Sequence, residues 1–352
     1  MKKPIIALAL TMVFGLLIWL FFSDKSVAQP NTFKTLPAKA SVITPAVQPK
    51  ASNVTQQNLT IAQAKKHFDE SIKSAAKQVS HQYAAALNFP PYSQPLTSLD
   101  TDRLEPNKFN PVAVPINNDG ANLVLSLSKY RFVYPEPIAV RVEGENIGAV
   151  TLSLMDVDSK KVLASQRINN AKQSYDFSFS AREDYPRNLQ ILAEAQINAD
   201  QVPIVAHLQY MNPSAVLTGF DNAWPNSDKM TIPAKLKVYK AGMYRIRANL
   251  YIGEQPIAHL VSRERLETGS QTIALDAHWS VLKATDQPMH LHGFVIELMS
   301  PAPGEPSVFG HSEIKSFTIS EFPVDSLNKT PYHPTNAERQ SLQFLKSLGA
   351  TS

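Results

Sequence analysis

Residues 188–208 read NLQILAEAQINADQVPIVAHL. Leu189, Ile191 and Ala193 alternate with mostly polar or small neighbours, and Val202, Ile204, Ala206 and Leu208 do the same after Asn198-Ala199-Asp200. Successive side chains of a strand point to opposite faces, so a period of two marks a strand with one buried and one wet face; Asn and Asp between the runs supply a turn. Working upstream, the period returns in Leu123/Leu125/Leu127, Ile138/Val140/Val142, Val150/Leu152/Leu154 and Tyr175/Phe177/Phe179, with a short run at Val162. Strands this short and closely spaced predict an antiparallel sandwich over residues 118–212.

Downstream of Asn212-Pro213 a second set follows: Leu236/Val238, Tyr244/Ile246/Ala248/Leu250, Ile257/Leu260, Ile273/Leu275, Leu291/Phe294/Ile296 and Phe317/Ile319. Turns at Ala241-Gly242 and Gly253-Glu254 join them, and the order of the runs echoes the first set about 95–102 residues later, as a repeat of pattern rather than of residue identity. A second sandwich is expected over residues 213–322. The segment Ala241-Gly242-Met243-Tyr244-Arg245-Ile246-Arg247-Ala248 resembles the Gly-x-Tyr-x-apolar-x-Ala strand of many bacterial extracytoplasmic immunoglobulin-like and fibronectin-like domains. The resemblance implies a fold class and no function. Tyr244 is expected to pack and to hydrogen-bond the backbone.

At the other end, Pro4 to Phe22 is a run without charge, preceded by Lys2 and Lys3. As a helix it is about 28 Å long, close to the hydrocarbon thickness of a bilayer. Residues 1–25 are therefore expected to be an uncleaved inner-membrane anchor through residues 4–22, with the body in the periplasm by the positive-inside tendency. Secretion after cleavage near Ser26-Val27-Ala28 is the alternative. Residues 26–58, rich in Pro, Ala, Thr, Gln and Asn, form a flexible tether.

Residues 59–88 carry Ile61, Ala64, Phe68, Ile72, Ala75, Val79, Tyr83 and Ala86 three or four apart, with Thr60 and Gln63 as a capping box. This is an amphipathic helix. Its face of Phe68, Ile72, Val79 and Tyr83 is expected to pack on the body, or alternatively to bind a partner helix. Residues 89–117, with Pro90, Pro91, Pro95, Pro106, Pro111 and Pro115, read as an ordered strap, because Phe89, Tyr92 and Phe109 are unusual in disordered chain. Residues 323–352 are a linker and a short helix with Thr335 and Glu338 as its capping box, Leu342, Leu345 and Leu348 as its stripe and Gly349 as its stop.

Composition narrows function further. The 352 residues contain no cysteine, which excludes disulfides, thiolate metal sites and thiol nucleophiles. A net charge of +4 from 34 basic and 30 acidic residues does not suit a nucleic-acid partner. Twenty-six prolines against 12 glycines suit strand-rich modules rather than phosphate loops.

His290 and His292 at i and i+2 on a strand share a face. Pro288-Met289-His290-Leu291-His292-Gly293 resembles the Pro-x-His-Leu-His-Gly motif of multicopper oxidases, but that family needs several such pairs and a cysteine. Two surface histidines are preferred over a His/Met copper site that adds Met289 and His278 or His311. Asp156/Asp158 and Asp100/Asp102 are expected to cap turns rather than to hold a cation. No serine-hydrolase elbow, zinc-protease motif or Walker loop occurs. The sequence thus predicts no catalytic residue, cofactor or metal: a non-enzymatic binding or scaffolding protein whose partners are envelope proteins. A carbohydrate-binding or carbohydrate-degrading accessory, with Trp224 and Trp279 in a glycan platform, is the alternative.

Overall fold

The computed structural model describes residues 61–116, 121–169, 173–197, 200–283 and 287–350, with side chains described from residue 70 onward. All of these fall in one compact unit, Leu59–Ser352. The Pro4–Phe22 segment, the tether and the Thr60–Gln63 capping box lie outside what is described. Among the described residues no helix is long and apolar enough to cross a membrane.

The protein is mainly β, with three α-helices among the described residues. Helix α1 (Ile61–Ala86) leads into a Pro-rich segment carrying β1 (Ser93–Pro95), the single-turn α2 (Thr101–Leu104) and β2 (Val112–Pro115). The first module continues with β3 (Asn122–Leu127), β4 (Arg131–Val133), β5 (Ile138–Glu143), β6 (Ile147–Asp156), β7 (Val162–Ile168), β8 (Ser174–Phe179), β9 (Asn188–Ile197) and β10 (Asp200–Met211). The second has β11 (Ala215–Phe220), β12 (Trp224–Asn226), β13 (Lys229–Val238), β14 (Gly242–Ile252), β15 (Gln255–Leu266), β16 (Gly269–His278) and β17 (Met289–Leu298). Three short strands complete it, β18 (Val308–Phe309), β19 (His311–Ser312) and β20 (Ser316–Ile319), before helix α3 (Asn336–Ala350).

The alternating stretch at 188–208 forms the hairpin β9–β10, in register Leu189↔Leu208, Ile191↔Ala206 and Ala193↔Ile204. Every apolar member of these pairs is buried while the intervening positions are not, so one face of the ribbon enters the core. That core joins two sheets, β4-β10-β9-β6-β7 and β2-β3-β5-β8. Leu123, Phe132, Ile138, Leu152, Phe179, Ile191 and Leu208 meet between them. This is an immunoglobulin-like sandwich.

The second module repeats the arrangement of seven of these strands. The order β10-β9-β6-β7 of the first becomes β20-β17-β14-β15, and β3-β5-β8 becomes β11-β13-β16, all antiparallel. The echo seen in the sequence is therefore a repeat of topology. Its separate core gathers Leu217, Ile232, Tyr244, Ile246, Leu250, Leu260, Ile273, Leu275 and Leu291.

Tyr244 is fully buried, and its hydroxyl donates to the carbonyls of Ser214 (2.9 Å) and Lys240 (2.7 Å), in the role expected of it. It ties the entry of the second module to the turn before β14. Tyr244→Phe should cost about 1–2 kcal/mol, because the ring still fills its site while the Ser214 and Lys240 carbonyls lose the hydroxyl proton they share. Thermal unfolding against the parent chain reads this directly.

The strap is more than a cover. Its β1 pairs with β15 (Ser93↔Leu260) and its β2 pairs with β3 (Val112↔Leu125), so residues 89–117 give one strand to each module. The Gln94 amide donates to the Phe89 (3.1 Å) and Pro90 (3.0 Å) carbonyls, holding the bend that follows α1.

Two helix expectations are corrected. Burial on α1 falls on Ala76 (8%) and Ser80 (5%), with Leu87 just beyond, one position round from the sequence stripe; Ile72 is 44% exposed and Ala75 is exposed. The reason is the neighbour. Helix α1 lies antiparallel against α3, with Tyr83 beside Glu338 and Ser341 and Lys77 beside Gly349. Small residues face that contact and let the backbones approach. Gly349 is not a stop: it lies inside α3, where a Cβ would stand 3.2 Å from the Lys77 backbone nitrogen. The capping box at the start of α3 is present, with Glu338 N–H donating to Thr335 Oγ1 (3.3 Å) and Thr335 N–H to Glu338 Oε2 (2.7 Å).

Candidate functional site

Three groups of residues carry chemistry. The first is the helix pair. Of the expected face, Tyr83 turns onto the chain's own α3, hydrogen-bonded to Ser341; burial first, then the Glu338 carboxylate, pushes its phenol above the usual tyrosine range. Val79 is half-buried and Ile72 largely exposed, while the Phe68 side chain lies outside what is described. Helix α3 has no fully buried residue, and Leu342, Phe344, Leu345 and Leu348 are all half-buried. A two-helix pair cannot enclose its apolar side chains from both directions, so this corner retains an apolar surface.

The second group sits on the outer face of β14 and β17. Strand register sets His290 opposite Tyr251 and His292 opposite Asn249. The imidazole ring centres are 4.7 Å apart, and Tyr251 lies 5.5 Å from each, parallel to His290 and edge-on to His292. Burial first, then His290, lowers the His292 pKa, and one of its ring nitrogens donates to the Lys315 carbonyl. The pair expected on one face is therefore assembled. The wider His/Met set is not: Met289 is buried in the second core, His278 lies against Asp228, and His311 lies against Glu136.

The third group was missed by the sequence reading. Four segments distant in the chain converge at one end of β13 and β16: Tyr92 and Ser93 of the strap, Asp228 and Lys229, Asp276 to Ser280, and Thr330 to Tyr332. His278 is 1% exposed; its Nδ1 accepts the Ser280 N–H (3.3 Å) and lies 2.7 Å from Ser280 Oγ. Its Nε2 lies 3.6 Å from Asp228 Oδ2, and its ring donates to the Thr330 carbonyl. Lys229 pairs with Asp276 at 2.5 Å, and Thr231 donates to the same carboxylate. Burial, then Asp228 and Asp276, pushes the Tyr92 phenol up to about 12.

These are the residue types of a nucleophilic relay, yet the geometry is that of a structural clasp. Nδ1 is shared with a backbone N–H at the start of the turn Trp279–Val281, and the ring is sealed from solvent. The group pins the strap and the C-terminal linker to the second sandwich. Trp279 takes part, its indole N–H donating to Thr330, whereas Trp224 is 47% exposed. No short motif could have announced this cluster, because its members are brought together only by strand pairing.

One member of each carboxylate pair, Asp156 and Asp100, caps a turn. Asp156 accepts from Asp158 N–H (3.1 Å) and Ser159 Oγ (2.5 Å), which holds its pKa below the usual carboxylate range; Asp100 accepts from Thr97 N–H and Oγ1. Among the described residues no three His, Asp or Glu come together as a metal cluster.

No protein-family model matches the chain. No curated protein matches it either. Among solved structures, 50% of the chain aligns with 52% of a DUF4785 family protein from Legionella pneumophila at 17% identity and a TM-score of 0.37. In E. coli alpha-2-macroglobulin, 16% of that protein aligns with 56% of this one at 10% identity and a TM-score of 0.25. The FN1–FN3 domains of chicken CNTN1 align over 62% of their length with 51% of this chain, at 11% identity and a TM-score of 0.22. The chain spans about half the length of the first of these and a sixth of the second. The immunoglobulin-like character of this protein stands on its strand order and its two cores.

Proposed function

We propose that this chain is a non-enzymatic scaffolding component of a bacterial cell-envelope assembly, with tandem immunoglobulin-like sandwiches held in the periplasm by residues 4–22 of the inner membrane. The observation carrying this reading is the helix pair α1–α3, whose Ile72 and half-buried α3 residues leave apolar surface on an otherwise well-packed β body. A helix from an envelope partner would complete a three-helix contact there. The clasp at His278 serves the same purpose, holding the linker before α3 so that both helices are presented together.

Ile72→Asp tests it. Because Ile72 is 44% exposed, the change should cost no more than about 1 kcal/mol of stability, while co-purification of partners from crosslinked membranes should be lost. Undiminished recovery of the same partners would remove the helix pair from the assembly surface. The carbohydrate reading draws on exposed Trp224; specific glycan-array binding that disappears in Trp224→Ala would replace the scaffold reading with it.

A further inference from the structure

We propose that His290 and His292 form a two-imidazole chelate for a late first-row divalent metal ion, Cu(II) above all, on the outer face of the second sandwich. Distance is the first ground. With metal–nitrogen bonds of about 2.0–2.1 Å, two imidazoles sharing one ion at angles between square and tetrahedral have ring centres about 4.5–5.3 Å apart. The observed centres are 4.7 Å apart, with the ring planes 83° from one another. The backbone therefore already holds the rings at the spacing a shared ion requires.

Orientation is the second ground. His292 donates one ring N–H to the Lys315 carbonyl, the backbone contact that in metal sites fixes the tautomer and leaves the other nitrogen as a lone-pair donor. Tyr251 packs flat against His290 and edge-on to His292, limiting the rotation of both rings.

Chemistry then selects the ion. Two nitrogen donors, no thiolate in the chain and, among the described residues, no third His, Asp or Glu in the cluster leave the remaining positions to solvent. Such a partial set holds the divalent ions in the order of their intrinsic affinity, which peaks at Cu(II). Hard ions such as Mg(II) and Ca(II), which take oxygen ligands, are not expected to bind.

The experiment is a Cu(II) titration of the untagged full-length chain in detergent, followed by electron paramagnetic resonance and calorimetry. One ion per chain with nitrogen hyperfine coupling is expected, and His290→Ala and His292→Ala should each weaken binding by more than about tenfold with an unchanged circular dichroism spectrum. His207→Ala, at an exposed histidine on the first module, is the control and should leave binding intact. The proposal falls if no ion binds, if the double variant still binds, or if His207→Ala weakens binding as much as the other two.

Discussion

Gly310→Ala should destabilise the protein by about 2–4 kcal/mol, although it adds only one methyl group. Gly310 sits between β18 and β19, where its N–H donates to the Ile296 carbonyl at 2.8 Å and the chain crosses from β17 to run beside β11. A Cβ at this position would overlap the Ala215 carbonyl oxygen and stand 2.7 Å from Ile296 Cγ2. Neither neighbour can yield. Ala215 is the first residue of β11 and Ile296 is in the second core, so relief would require moving one strand of each sheet. The same region carries contacts between the modules: Arg131 stacks its guanidinium on Phe309 at 4.3 Å, and Arg187 donates to the Ser307 carbonyl. Chemical denaturation of Gly310→Ala should therefore show a lower midpoint. An unchanged midpoint would mean that β18 and β19 are not held against β11 as described.

The second large effect comes from removing helix α1 and the strap together. A chain beginning at residue 59 should be soluble, β-rich by circular dichroism and indifferent to reductant. One beginning at residue 118 should lose about 4–8 kcal/mol and aggregate, because it lacks β1, which pairs with β15, and β2, which pairs with β3, so both modules acquire a bare strand edge. It also lacks buried Leu96 and the half-buried Phe89, Val112 and Val114, each packed side chain contributing up to about 1.5–3 kcal/mol. The clasp is opened as well, since Ser93 Oγ accepts from the buried His278 N–H. Equal solubility and unfolding midpoints for the two chains would show that helix α1 and the strap are both dispensable.

Local pattern in the sequence was enough for everything that repeats at short range. Period-two alternation identifies β3, β5, β6, β8, β9, β10 and β14 because a sandwich strand meets the core on one face and water on the other, and that asymmetry is written directly into adjacent residues. The capping box of Thr335 and Glu338, the turn carboxylates Asp100 and Asp156, and the shared face of His290 and His292 were legible for the same reason, each being a relation over two or three residues. Tertiary structure alone decided what joins distant segments. It drew Ser93–Pro95 and Val112–Pro115 into two different sandwiches, gathered Tyr92, Asp228, His278 and Thr330 around one clasp, and laid α1 on α3. That last pairing turned the buried face of α1 from Ala75 and Ile72 to Ala76 and Ser80. Helical periodicity shows that a stripe exists, but which side of it is covered depends on the shape of the neighbour. Here the neighbour is Gly349 and its helix, about 270 residues away in the chain, and close backbone approach there favours small side chains over large ones.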